Sequence, residues 1–391
     1  MKPLILFLSL CALNALLIWH AYNRTQSDIA VQSPWLDQHW SRHLSHQGEK
    51  PTSADYASIR LSPESCGMCH PQQFADWSQS RHSKAVGPGL LGQYADQPDL
   101  DEFKECLGCH APLAEQADSV GRNLGRPGLL HQGLVCAACH LRQWHVKGPL
   151  PQAGKQRQQP PAHGGFEARE EFENPLFCAA CHQFPEGGYS LNQKPLENTY
   201  AEWKNSSYAK QGITCQKCHM PERRHLWRGI HDPKMVRQGL LVSWDFLQYD
   251  PKHLLGQITL LNQGAGHALP TYVTPLIQVS FVQLGNDKQP LDQTYQEAPI
   301  GRMVSLDIET ELFDTRLLPG EKRQIQYKAA VASAAKWLHV EVRVKPDEFY
   351  RRFYVARLKN PNLKQGRLGL TQALKQAVAN EYVLWERDLL L

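Results

Sequence analysis

The chain has no pair of cysteines to spare for a disulfide. Of its eleven cysteines, ten fall into five evenly built pairs and the eleventh, Cys11, lies in an apolar N-terminal run. That usage excludes an intramolecular disulfide framework. A compact block of Lys or Arg is also missing and the formal charge is only +4, which removes the electrostatic footprint of a nucleic-acid binder. The sequence shows no P-loop, Rossmann fingerprint or Ser/His/Asp arrangement. Hydrophobic residues make up 42% of the 391 positions, a little low for a length that suits two to three domains. The core therefore calls for completion by something other than side chains.

What is present supplies that completion. Each cysteine pair is spaced by two residues and followed at once by histidine: Cys66-Gly-Met-Cys69-His70, Cys106-Leu-Gly-Cys109-His110, Cys136-Ala-Ala-Cys139-His140, Cys178-Ala-Ala-Cys181-His182 and Cys215-Gln-Lys-Cys218-His219. C-x-x-C-H is the attachment pattern of haem c. Two thiols bond to the vinyl groups of one haem, and the adjoining imidazole becomes the proximal ligand of its iron. Zinc knuckles pair two half-sites and seldom set histidine directly after the second cysteine. A thioredoxin-like pair is expected once, beside a βαβ pattern that is not visible here. The reading is five covalently attached haems. Ten propionates take the charge from +4 to about −6 in the reduced protein, and five ferric centres return it to about −1.

Residues Pro3 to Trp19 are apolar behind Lys2, the order of an export signal. No A-x-A cleavage triplet follows, and Leu10 rather than a small residue precedes Cys11. At about 17 residues the run is short but usable as a span. Residues 1–22 read as an uncleaved membrane anchor in preference to a cleaved signal peptide; either exports the body to the periplasm or cell surface, where haem is attached.

Residues 23–60 form a polar linker with one short helix. A pentahaem region follows over 61–239, its connections broken by Pro149, Pro151, Pro160, Pro161, Gly164, Gly165, Gly187 and Gly188, so short helices and loops should wrap the haems. Two stretches echo each other. Ala75-Asp-Trp77-Ser-Gln-Ser80-Arg-His82 is matched by Ala201-Glu-Trp203-Lys-Asn-Ser206-Ser-Tyr208, and Gly133-Leu-Val-Cys136 by Gly212-Ile-Thr-Cys215. They suggest duplicated haem-packing units. Beyond 240 the periodicity turns to that of strands, at 257–262, 276–282, 324–327 and 338–344, with turn signals between. Residues 240–365 therefore read as an all-β, immunoglobulin-like sandwich. Residues 366–391 read as a C-terminal helix, with Leu370, Leu374, Val378, Tyr382 and Trp385 on one face.

A bis-histidine haem needs a second imidazole. His82 lies twelve residues after His70, about 18 Å along a helix, too far to cap its own motif's haem without a sharp reversal; it suits a neighbouring one. His163, His231 and His267 sit beside glycine or proline, where backbone can approach a flat macrocycle. Asp232 offers His231 an orienting carboxylate. His131 completes the five distal candidates, with His145 and His225 in reserve. Met220 follows His219 directly and suits packing on a haem edge.

These residues resemble the multihaem c-type cytochromes grouped with the tetrahaem cytochrome that accepts electrons from hydroxylamine oxidoreductase. The likeness is carried by Cys66-Gly-Met-Cys69-His70-Pro71 with Trp77, Ser80 and His82; by Tyr200, Glu202, Trp203 and Ser206; by Gly212-Ile-Thr-Cys215-Gln-Lys-Cys218-His219-Met220-Pro221; and by Gly266-His267-Ala-Leu-Pro270-Thr271. It implies electron carriage in the periplasm or at the cell surface, through stacked haem pairs and between redox partner proteins. A fifth haem, an anchor and a sizeable β-part depart from that pattern. Two other readings stand beside it: an oxidoreductase acting on a small nitrogen or sulfur compound at one open iron, with Tyr208 where the echo has His82, and a membrane-anchored quinol dehydrogenase.

Overall fold

The computed structural model describes residues 33–391 apart from 42–43, 54–55, 57–58, 97, 121–127, 153–162, 164 and 251. The chain divides into two compact units, residues 1–42 and 43–391. In the first, helix α1 (Pro34–His39) begins on proline, whose missing N–H has no intrahelical partner to lose in the first turn, and stacks Trp35 on His39 at 4.3 Å. The expected anchor or signal, residues 1–22, lies outside the described residues. Among the described residues, no helix is long and apolar enough to cross a membrane.

In the second unit, residues up to 239 form short helices joined by turns. They include α2 (Pro63–Gly67), α3 (Pro71–Gln79), α4 (Pro88–Asp96), α5 (Leu100–His110), α6 (Cys136–His140), α7 (Leu176–His182), α8 (Thr199–Lys204), α9 (Ser207–Lys210), α10 (Cys215–His219) and α11 (Pro233–Gly239). Their ends are chemically marked. Asp99 accepts from the Asp101 and Glu102 N–H groups at the start of α5, and Asp232 does the same for Lys234 and Met235 at the start of α11. Apolar packing here is split into small groups, one around Trp77, Val135 and Ala138, another around Val86, Phe103 and Leu107.

The second half buries one larger core between two antiparallel sheets. Strands β1 (Leu240–Tyr249), β2 (Leu254–Asn262), β3 (Leu276–Leu284), β4 (Gln296–Val304), β5 (Glu311–Asp314), β6 (Lys322–Ala329), β7 (Trp337–Lys345) and β8 (Tyr382–Leu390) order as β5-β4-β3-β7-β8 and β6-β2-β1. Strand β7 alternates so that Leu338, Val340, Val342 and Val344 all point inward and are fully buried, as a pleat with one core face requires. They meet Ile277, Val279 and Phe281 of β3 and Ile258, Leu260 and Tyr327 of the facing sheet. The four expected strands are present within β2, β3, β6 and β7, while β1, β4, β5, β8 and helix α12 (Glu348–Leu358) went unread.

The C-terminal helix is corrected. Helix α13 (Arg367–Ala379) ends at Asn380, and β8 then pairs antiparallel with β7 from Val344↔Tyr382 to Trp337↔Leu390. Leu370 and Ala373 are buried but Val378 is 53% exposed, so the apolar face stops before Tyr382. Beyond it the free backbone groups along β7 draw the chain into a strand.

Candidate haem sites

One helical turn builds each motif. Cysteines at i and i+3 fall on neighbouring positions of a turn of 3.6 residues, with the histidine next to the second. At the first motif the Cys66 carbonyl accepts from the N–H groups of both Cys69 and His70. At the other four the whole pentapeptide is helical, within α5, α6, α7 and α10.

The two sequence echoes are also structural echoes. Trp77 donates its indole N–H to the Leu134 carbonyl, and Trp203 donates to Ile213, both at 2.8 Å. The Ser80 and Ser206 hydroxyls each donate back to the tryptophan carbonyl at 2.7 Å. Leu134 N–H donates to the His82 carbonyl, and Ile213 N–H to that of Tyr208, both at 2.9 Å. Gly133 and Gly212 take φ of +64° and +66°, a left-handed turn that glycine adopts without a Cβ penalty. In both copies a tryptophan-bearing helix thus fixes the approach to the first cysteine of a motif, Cys136 or Cys215.

The imidazoles are arranged in facing pairs. Ring centres of His82 and His182 lie 6.3 Å apart, those of His140 and His225 6.1 Å, and those of His219 and His267 6.4 Å. With metal–imidazole bonds of about 2 Å and ring centres about 1.1 Å behind their nitrogens, two imidazoles on opposite faces of one iron stand about 6.2 Å apart. The residues therefore fit bis-histidine haem. Their tautomers fit too. Nδ1 is hydrogen-bonded to a backbone carbonyl in His110 (Ala85, 2.7 Å), His140 (Lys147, 2.9 Å), His163 (Gly165, 3.0 Å), His219 (Arg228, 2.6 Å), His225 (Arg223, 3.1 Å) and His267 (Ala268, 2.9 Å). Such a bond leaves Nε2 as the ligand atom. Burial, helped by neighbouring imidazoles, lowers His82 to about 3 and His140 and His219 to about 4. Those rings are neutral at pH 7, the form that binds a metal.

Among the distal candidates, His82 and His267 stand in such pairs. Burial lowers the proton affinity of His70, and His163 lies close enough to lower it further; His131 sits on the turn Leu129–Gln132. His231 has a carboxylate partner of its own. Its Nε2 is hydrogen-bonded to Asp347 Oδ1 at 3.0 Å, while Asp232, the expected orienting carboxylate, caps α11 with Oδ1 and pairs with Arg228 through Oδ2. The reserve residue His225 faces His140 instead. Its flanking Arg224 and Leu226 gave no close-approach signal; the pin is Asp76, far off in sequence, which binds Arg224 and accepts the His225 N–H at 3.1 Å. His145 is exposed on a short strand. Tyr208, on which the open-iron reading leaned, donates its hydroxyl to the Gln263 carbonyl at 2.6 Å.

Residues 65–141 match the family described as cytochrome c554 and c-prime. A curated cytochrome c-552 from Aliarcobacter butzleri (strain RM4018) is 26% identical over 180 residues, 41% of this chain. That match takes in 35% of the relative, so the chain spans about a third of the curated protein's length. The solved penta-heme cytochrome c552 of Thermochromatium tepidum shares the fold, with a TM-score of 0.59 and 18% identity over 85% of this chain and 99% of that one. The chain thus resembles cytochromes of the c554/c552 type over part of its length and shares the fold of a solved multihaem one. Electron transfer is the general business of such cytochromes.

In this chain, thiols from different motifs meet. Hydrogen bonds join Cys66 to Cys136, Cys109 to Cys181, and Cys178 to Cys215. Cys139 is also close enough to Cys178 and Cys181 to hold their protons more firmly. The fourth motif thus borders the second, third and fifth.

Proposed function

We propose that this chain is an exported electron carrier with five haems c, passing electrons one at a time between redox partner proteins. The three imidazole pairs at 6.1–6.4 Å carry the reading. Cys66, Cys69, Cys106, Cys109, Cys136, Cys139, Cys178, Cys181, Cys215 and Cys218 would hold the macrocycles, and His70, His110, His140, His182 and His219 the proximal faces. His82 would close the fourth site, His225 the third and His267 the fifth. The nearness of His163 to His70 supports it at the first site; His131 remains a candidate ligand. When bound, haem supplies a one-electron iron couple. The chain supplies neutral imidazoles, their orientation and exclusion of water, which together set each potential.

The thiol contacts support a junction at the fourth site, from which the second, third and fifth branch and the first follows through the third. The apolar N-terminal run supports export, and the likeness to the acceptor of hydroxylamine oxidoreductase supports carriage outside the cytoplasm. The two facing antiparallel sheets support the immunoglobulin-like reading of the β-part. Protein matured with haem should show an intact mass carrying five haems and electron paramagnetic resonance dominated by low-spin ferric signals. A stoichiometry below five, or zinc in place of iron, would refute the proposal.

A further inference from the structure

The second echo unit ends in Tyr208 where the first ends in His82, and the two positions do different work. In the first unit the side chain itself faces a motif histidine. In the second, Tyr208 reaches into the β-part, its hydroxyl on the Gln263 carbonyl at 2.6 Å. Gly266 is pressed so close to Trp203 and Tyr208 that a Cβ there would lie 3.1 and 3.2 Å from them. One helix away in sequence, Glu202 accepts from the Ala268 N–H at 3.0 Å and from Arg316 at 3.0 Å. Asn262 completes the frame, donating Nδ2 to the His267 carbonyl at 2.9 Å and accepting the Ala265 N–H at 3.1 Å. His267 therefore rides on a loop gripped on both sides.

We infer that Tyr208 and Glu202 are positioning residues that latch the loop 263–268 onto the fifth motif and so deliver His267 from the β-part to the iron beside His219. The duplicated unit has exchanged a ligand for a clasp on a ligand supplied from elsewhere. This inference rests on the proposed ligation by His267, and the test separates the two. Tyr208→Phe removes only the hydroxyl, and Glu202→Gln keeps the shape while weakening the hold on Arg316 and Ala268.

The measurement is cyanide binding to the oxidised, fully haem-loaded cytochrome, with electron paramagnetic resonance of the same samples. Support groups of a metal-bound histidine typically govern affinity by roughly 10- to 100-fold. Each variant should bind cyanide at one haem that much more tightly than the parent and show a partial high-spin signal, and His267→Ala should show that signal in full. If both latch variants match the parent while His267→Ala opens one iron, the latch is refuted and the ligation stands. If His267→Ala itself leaves the low-spin spectrum intact, the ligation fails and the latch falls with it.

Discussion

Asp76 and Arg224 form a two-pronged ion pair, Nη2 to Oδ1 at 2.6 Å and Nε to Oδ2 at 2.7 Å, that ties α3 to the segment carrying His225. Arg224 holds the Asp76 carboxyl below its usual range. Asp76→Asn should loosen His225 on the third site and raise cyanide uptake there by roughly 10- to 100-fold. The sign of the pH effect follows. A carboxylate with a lowered folded pKa adds stability that is fully present above its unfolded value, about 3.9, and is lost as pH falls through the folded value. Acid unfolding of Asp76→Asn, followed by Soret circular dichroism, should therefore show a shallower loss below pH 4.

His225→Ala and His231→Ala should part company. The first should turn one low-spin haem high-spin. The second should leave every haem signal unchanged and cost about 1–3 kcal/mol of stability, because Asp347, which also accepts from Asn380, loses a hydrogen-bond partner. Electron paramagnetic resonance with denaturant titration checks both.

Arg302 clips the β-part to the hairpin at 190–195. Its side chain is fully buried, paired with Glu311 at 2.7 Å and donating to the Pro195, Lys194 and Leu191 carbonyls at 2.6, 3.1 and 3.2 Å. Arg302→Met leaves Glu311 with Lys194 and Asn192 as partners among the described residues, and takes a buried donor away from three carbonyls. A loss of about 3–5 kcal/mol is expected, with faster amide exchange across residues 184–197.

Truncation after Asn380 should bare the edge of β7 and the core side of Leu384. An open, apolar strand edge templates association. Light scattering should show oligomers that the full chain does not form at the same concentration.

The legible part of the site was local. A C-x-x-C-H pentapeptide needs nothing but one helical turn to present two thiols and an imidazole, so its spacing can be read wherever it stands. The tryptophan echoes were legible for the same reason, since Trp77 and Trp203 act through helices that carry their own serine back-bonds. His82 could be assigned to a foreign motif by reach alone, though not to His182 in particular. His225 and His231 show where such reading ends. Both lie just past the fifth motif, and their neighbours in sequence do not tell which carboxylate holds each, because Asp76 and Asp347 approach from remote elements.

The C-terminus failed in the same way. Tyr382 and Trp385 continue a helical period on paper, yet the demand of β7 for a partner strand is set in space.

What the residues alone determined is a pattern of covalent chemistry: five C-x-x-C-H motifs, each offering two thiols and an adjoining imidazole. The tertiary structure alone decided which second imidazole faces the third, fourth and fifth motifs, which thiols meet, and which strand closes the sheet. Covalent attachment depends on separations of a few residues along one turn, whereas opposing an imidazole across a metal depends on Nε2 positions fixed to within ångströms by packing from distant parts of the chain.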